Sequence, residues 1–480
     1  MSQYLIVFAQ AHEEFRLPEL LSVAELHHFD LAVPDDLDVT RPFAVFTLDK
    51  EEHARLLARR CILIKSVYEF YARGTTYEEL HQQNKAARPK WEKYTPDTSF
   101  KFVVNGYNQS IPKARQREVI ENFSYMDFLG KIDLKTPEVT MGCFEEYRDT
   151  VGNTRHKHEG DGNFREAFFG RLLEEGTARS LIKKFDVKKR LYFGNTSMEA
   201  EISLLMANQT LASPGKVIYD PFVGTGSMAY TTAHFGALVF GSDIDGRQMR
   251  GKGGISNISD KLLDSVLTDA EQRPGIMRAA AQYGVEQRVI DLCTFDVTQN
   301  PWRCGEMFDA IITDPPYGVR AGAKRLGRKK ERGMPAVPSQ PRPDDQPYIP
   351  PTKPYELADL AADLVVLARY LLKPGGRLVF FLPTVTDEYR EVDINTMLCG
   401  GMEVIANSLQ DFGAWGRRLV TIRKTTCESF PPPTFESHAE EGEVEGAHIP
   451  AHKDFRGKYF QGFKKEFGTP VEAERTQDGG

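Results

Sequence analysis

Asp314, Pro315, Pro316 and Tyr317 follow directly on the apolar run Phe308 to Thr313, and a glycine comes next in "FDAIITDPPYGVR". An acid at the end of a buried strand can accept a hydrogen from a bound ligand. The two prolines fix their own φ, so the Pro315 carbonyl is held as a second acceptor instead of joining a strand ladder. Tyr317 offers a ring on which a flat ligand can stack. Two acceptors beside an aromatic face suit an exocyclic amine on a nucleobase, whose lone pair is delocalised into the ring and which needs its hydrogens held. Preorganised acceptors of this kind are worth about 10²- to 10³-fold in rate.

A second group lies upstream in "DPFVGTGSMA". Gly224, Gly226 and Ala229 satisfy a GxGxxG/A spacing, and Asp243 follows Gly224 by 19 residues, where an acid for ribose hydroxyls would stand. On that spacing alone a nicotinamide or flavin dehydrogenase fits as well as any other nucleoside-cofactor enzyme. Asp220 argues against it, because an acid at that strand end would repel a pyrophosphate but could accept from an amine. A cofactor with an amine and no phosphate fits better, and S-adenosyl-L-methionine is such a molecule. Phe222 stands in the same loop. Thr196 to Glu199 has the spacing of a capping box, and the N–H groups near Thr196 and Ser197 are candidates to hold the cofactor carboxylate. Asp296 in "CTFDV" ends another strand and could accept from an adenine amine. Ordinary capping and an ordinary strand-end turn account equally well for these last two motifs taken singly.

The elements around these residues alternate. After Arg190, "KVIYDPF", "ALVFGSDID", "RVIDLCTFD", "FDAIITDPP" and "RLVFFLP" are apolar strands separated by helix-length segments, which predicts a parallel sheet covered on both faces. "MEVIANSL" and "RRLVTIRK" follow as a closing antiparallel pair. The fold class is therefore α/β, a doubly wound seven-stranded Rossmann-like domain with ligands at the carboxyl ends of its strands. Before Phe185, short strands and helices mix as α+β units. The expected domains are 1–68, 69–185, 190–426, and an acidic linker with a basic and aromatic tail at 427–480. In that tail Phe455, Tyr459, Phe463 and Phe467 recur every four residues, the spacing of an amphipathic helix folding back on its own protein.

Composition bounds the rest. The chain has 480 residues, 41% hydrophobic and 27% charged, with a net charge of −7, which excludes disorder and argues against nucleic-acid binding over the whole surface. A local basic patch remains: Lys324, Arg325, Arg328, Lys329, Lys330 and Arg332. If all six met phosphates, the salt slope would be about −4 to −5. The loop "HKHEGDGNF" carries His156 and His158, read as solvated and not as metal ligands. Six scattered cysteines without a CxxC pair suggest reduced thiols in an intracellular protein. The apolar run near the N-terminus is too short for a signal peptide or a membrane helix, so a cytoplasmic location is expected.

The DPPY stretch resembles the amino-methyltransferase class with a [DNS]PP[YFW] motif. "DPFVGTGS", "GSDIDGRQMRG", "TDPPYGVR" and "FGNTSMEAEISLLMANQ" are together similar to the catalytic subunit of the eukaryotic two-subunit tRNA guanosine N2-methyltransferase, over roughly Leu191 to Lys424. The N-terminal half resembles that family's ferredoxin-like and THUMP region more diffusely, as in "FSYMDFLGKIDLKTPEV". The resemblance implies tRNA as substrate with guanosine 10 as target, S-adenosylmethionine as donor, and a small zinc-binding activator as partner in a heterodimer. It assigns Gly224, Gly226 and Asp243 to the cofactor, Asp296 to its adenine, and Asp314 with Tyr317 to the target base. An rRNA or DNA amino-methyltransferase would keep the same motifs, and a non-enzymatic RNA-binding protein would be expected to have lost the acids at 220, 243, 296 and 314.

Overall fold

The computed structural model describes residues 2–148, 156–157, 163–251, 255–256, 274–319, 322–327, 351–435 and 450–466. The chain divides into two compact units, Met1–Lys184 and Phe185–Gly480.

The first unit is built on one sheet. Its strands are β1 (Ser2–Phe8), β2 (Phe43–Leu48), β3 (Ile64–Gly74), β4 (Phe100–Tyr107), β5 (Val139–Tyr147) and β6 (Phe164–Glu175), in the order β2-β1-β3-β6-β5-β4. Alternation along β1 explains why both faces are covered. Tyr4, Ile6 and Phe8 join one apolar cluster with Leu20, Val23 and Leu57, whereas Leu5 and Val7 join another with Phe43, Phe144 and Phe168. The helices α1 (Arg16–Leu26), α2 (Glu51–Arg60), α3 (Tyr77–Ala86) and α4 (Lys113–Glu121) are short and amphipathic. Thr76 opens α3 by accepting from the Glu79 N–H at 3.3 Å, and the Glu79 carboxylate returns a bond to Thr75.

The boundary expected at 68/69 falls inside β3. That strand pairs with β1 over Ile64 to Glu69 and with β6 over Ser66 to Gly74, so the two expected N-terminal parts share a strand and one sheet. His156 lies in a two-residue strand beside Gln109–Ser110, and His158 lies outside the described residues.

The second unit carries β7 (Val217–Asp220), β8 (Leu238–Asp243), β9 (Val289–Thr294), β10 (Phe308–Thr313), β11 (Leu372–Val385), β12 (Met402–Asp411) and β13 (Trp415–Lys424). Their order is β9-β8-β7-β10-β11-β13-β12. The first five run parallel, and β13 is antiparallel to both β11 and β12. Helices α5 (Ala200–Gln209), α6 (Ser227–His234), α7 (Ile276–Gln282), α8 (Leu357–Leu371) and α9 (Phe455–Glu466) complete it. Leu364, Leu367 and Leu371 recur at helical spacing on α8 and bury against Tyr219, Phe308 and Leu378 of the sheet. Each such fully buried side chain contributes about 1.5–3 kcal/mol. Their joint effect is to hold the carboxyl ends of β7, β8 and β10 at one rim.

The long segment after β10 is pinned at its ends by a ribbon pairing Lys324–Leu326 with Thr352–Pro354. Residues 450–466 belong to the compact second unit, with Phe455–Glu466 helical and Ala451, His452 and Phe455 buried, as a helix folding back on the protein would be. Among the described residues no helix is long and apolar enough to cross a membrane.

Candidate active site

At that rim lies a cleft of about 720 Å³, a size usual for ligand sites. β8 brings Asp243 and β10 Asp314 to its wall, and the loop after β7 brings Gly224, while Gly226 and the fully buried Asp220 at the end of β7 lie off the wall. Gly224 and Gly226 have φ of 50° and 86°, a backbone region that side chains with a Cβ rarely enter. A Cβ on Gly226 would also stand 2.8 Å from the Tyr230 hydroxyl. Thus the loop turns tightly into α6, with Gly226 at the cap position.

The acids are wired into the backbone. The Gly224 N–H donates to Asp243 Oδ2 at 3.0 Å and the Asp245 N–H to Asp243 Oδ1 at 2.8 Å. Thr313 and the Phe222 N–H donate to Asp220 Oδ1, at 2.9 and 3.1 Å. Asp220 Oδ2 is buried with no hydrogen-bond partner among the described residues. Burial, with Asp243 and Asp314 nearby, pushes the Asp220 carboxyl up to about 8. A buried polar oxygen left without a partner costs about 1–3 kcal/mol, so this oxygen is open to a polar group of a ligand. The amine of S-adenosylmethionine would supply one, Asp243 stands where ribose hydroxyls would be met, and the Gly224–Gly226 loop admits close approach. The residues present therefore fit that cofactor.

Asp314 and Tyr317 meet within one turn, the Tyr317 hydroxyl donating to Asp314 Oδ1. Burial raises the Asp314 carboxyl to about 6, against the lowering influence of Arg417 and Tyr317. Burial and then the Asp314 charge raise Tyr317 well above a normal phenol. Pro315 and Pro316 line the cleft beside them.

Thr196, Ser197, Phe222, Gly224 and Asp243 all line the same cleft. Thr196 and Ser197 do so without the expected capping box. The helix begins at Ala200 with Glu199 at the cap, and among the described residues the Glu199 side chain makes no cap bond. Ser197 Oγ instead accepts from the Gly194 N–H at 2.8 Å and pairs with Thr225 Oγ1 at 2.7 Å. These tertiary partners displace the local motif.

Asp296 lies apart from these residues. It is 1% exposed and does not appear on the cleft wall, and its oxygens accept from the Thr298 N–H and hydroxyl and from the Leu326 N–H. It anchors the ribbon. Of the six loop cations, Lys324 lines the cleft and Arg325 packs over Tyr355 at 5.1 Å, while Arg328, Lys329, Lys330 and Arg332 lie outside the described residues.

Sequence reasoning missed Arg417, Trp415 and Phe412, brought to the cleft by the β12–β13 turn. Arg417 donates to Gln410 at 2.7 Å, stands over the Phe381 ring at 4.4 Å, and carries a positive charge felt by both Asp314 and Tyr317. The only local signal was an aromatic and a paired arginine beside a glycine turn in "DFGAWGRR".

A family model for the Tmrp11 THUMP N-terminal domain matches residues 2–178, and one for the RMKL-like methyltransferase domain matches residues 188–330. The tRNA (guanine(10)-N(2))-methyltransferase of Schizosaccharomyces pombe is 33% identical, covering 96% of this chain and 96% of its own. The enzyme of that name from Saccharomyces cerevisiae is 35% identical over 96% of this chain and 100% of its own, and TRMT11 of Homo sapiens 33% over 97% and 96%. The cofactor is S-adenosylmethionine, in keeping with the matched methyltransferase domain. Alike from end to end, and carrying the two domains in that order, this chain belongs to the tRNA (guanine(10)-N(2))-methyltransferase family.

Proposed function

We propose that this chain transfers a methyl group to the exocyclic N2 of guanosine 10 in tRNA, as the catalytic subunit of a heterodimer in the cytoplasm. Bound S-adenosylmethionine supplies the methyl group on its sulfonium. The observation that carries the reading is the meeting, on one cleft wall, of Gly224 and Asp243 with the Asp314–Tyr317 couple. Asp220 and Asp243 bind the donor. Asp314 Oδ and the Pro315 carbonyl accept the two hydrogens of the target amine, directing its lone pair, and Tyr317 stacks on the base. As the amine nitrogen gains the methyl group it becomes acidic, and Asp314 takes the proton. A carboxylate with its affinity for protons raised to about 6 is better suited to this than one in water.

The activator has a place to bind in this reading. β9 is the last strand on its side of the sheet, and Ile290 on it is 48% exposed. Such an edge accepts a strand from a partner. The first unit, matched by a THUMP-domain model, would hold the tRNA.

The test is methylation of tRNA transcripts by the purified chain, with and without a small zinc-binding activator, followed by nucleoside mass spectrometry. N2-methylguanosine is expected, and it should vanish when position 10 is adenosine. Product formed only on rRNA or DNA fragments would replace tRNA as the substrate while leaving the amine chemistry intact.

A further inference from the structure

The cleft has an aromatic side that neither the cofactor acids nor the DPPY turn accounts for. Phe412 and Trp415 flank the turn between β12 and β13, where Gly413 has φ of 93°, and their ring centroids are 4.7 Å apart. Phe455 and Tyr459, one turn apart on α9, approach Trp415 at 5.8 and 5.4 Å with interplanar angles of 61° and 73°. All four line the cavity that holds Asp314 and Tyr317. Only Phe455 is buried; Trp415 and Tyr459 are half-buried and Phe412 is 45% exposed.

The helix carrying two of them is held at the site by polar contacts outside the aromatic group. The Ala451 N–H donates to the buried Asp393 carboxylate at 2.9 Å, and Lys458 pairs with Glu388 at 2.8 Å. A Cβ placed on Gly318 would stand 3.7 Å from the Arg456 Cβ, so the start of α9 abuts the turn that carries Tyr317.

We propose that Trp415, backed edge-on by Tyr459, forms a second stacking wall of the base pocket, so that an unstacked purine is gripped between this wall and the Tyr317 side of the cleft. This deepens, and rests on, the reading of the chain as an RNA-base amine methyltransferase. An enzyme acting on a ring atom or amine within folded RNA must draw the base out of its stack, and the lost stacking is restored by aromatic side chains. Stacking tolerates any base, because every base has a π-face. The wall therefore supplies grip, and the acceptors at Asp314 and Pro315 supply the choice of an amine. The C-terminal helix becomes part of the substrate site.

The experiment compares Tyr459→Ala, Tyr459→Phe and Trp415→Ala in the full chain with its activator. Loss of one stacking ring should lower kcat/KM for tRNA on the order of 10- to 100-fold. S-adenosylhomocysteine affinity by calorimetry and the melting temperature should stay at wild-type values, and Tyr459→Phe, which keeps the ring, should restore turnover. In a transcript carrying 2-aminopurine at the target position, binding by wild type should change the probe's fluorescence and Tyr459→Ala should reduce that change. Normal turnover by both alanine variants, or a Phe variant as impaired as the Ala one, overturns the wall. A wild-type chain that methylates no RNA amine overturns the reading beneath it.

Discussion

Asp314 and Asp220 are both carboxylates at strand ends, yet their surroundings differ. Asp314 is raised to about 6 by burial and restrained by Arg417, so single-turnover methylation should rise through about pH 6 as the carboxylate forms and level off above it. Replacing Arg417 by Gln removes a cation that favours the anion, and the inflection should move to higher pH. Asp314→Ala should abolish most turnover with cofactor affinity near normal; an equal loss of cofactor affinity would take Asp314 out of the reaction. Asp220, raised to about 8, is mostly protonated at neutral pH. Because folding lifts this carboxyl above 3.8, its contribution to stability is full below that pH and is lost as the pH rises through about 8. An ammonium set against Oδ2 favours the anion, so binding of S-adenosylhomocysteine at pH 7 should release a proton. Calorimetry in buffers of different ionisation enthalpy reads this directly, and heats that do not vary with buffer refute it. These acids were legible in the sequence because each sits in a motif a few residues long. Arg417 and Trp415 were not, since they reach the cleft from a turn about a hundred residues after the DPPY stretch and carry no motif of their own.

Strands of the second unit were legible for a related reason. Five apolar runs separated by helix-length segments leave little choice but a parallel sheet, and an adjacent pair at the end leaves little but an antiparallel finish. The N-terminal half lacked that regularity. Nothing in "ILIKSVYEFYARG" marks β3 as a strand paired with β1 on one side and β6 on the other, because both partners are distant in sequence. The Thr196–Glu199 motif misled because a capping box scores only local bonds, while Thr225 offered Ser197 a better one. At the edge, β9 alternates poorly and leaves Ile290 outward. Ile290→Lys should block co-purification of the activator on co-expression, with the melting temperature of the lone chain unchanged. Capture at wild-type yield would remove β9 as the docking edge.

At the level of the molecule, four apolar clusters of the described residues each lie within a single unit. Those built on Leu57, Phe169 and Phe168 contain only residues of the first unit, and the one built on Leu364 and Leu378 only residues of the second. Calorimetric scanning should therefore show two transitions, and S-adenosylhomocysteine at about a hundred times its Kd should stabilise only one of them, by about 2.7 kcal/mol. A single transition that shifts as a whole would show one cooperative body. The ribbon of Lys324–Leu326 with Thr352–Pro354 acts on yet another level. It brings the two ends of the intervening stretch side by side, and Asp296 fastens one of them to the sheet. With its two edges held to each other and one of them to the sheet, the ribbon acts as a clasp, and a substitution that breaks it, such as Asp296→Ala, should lower the melting temperature of the second unit.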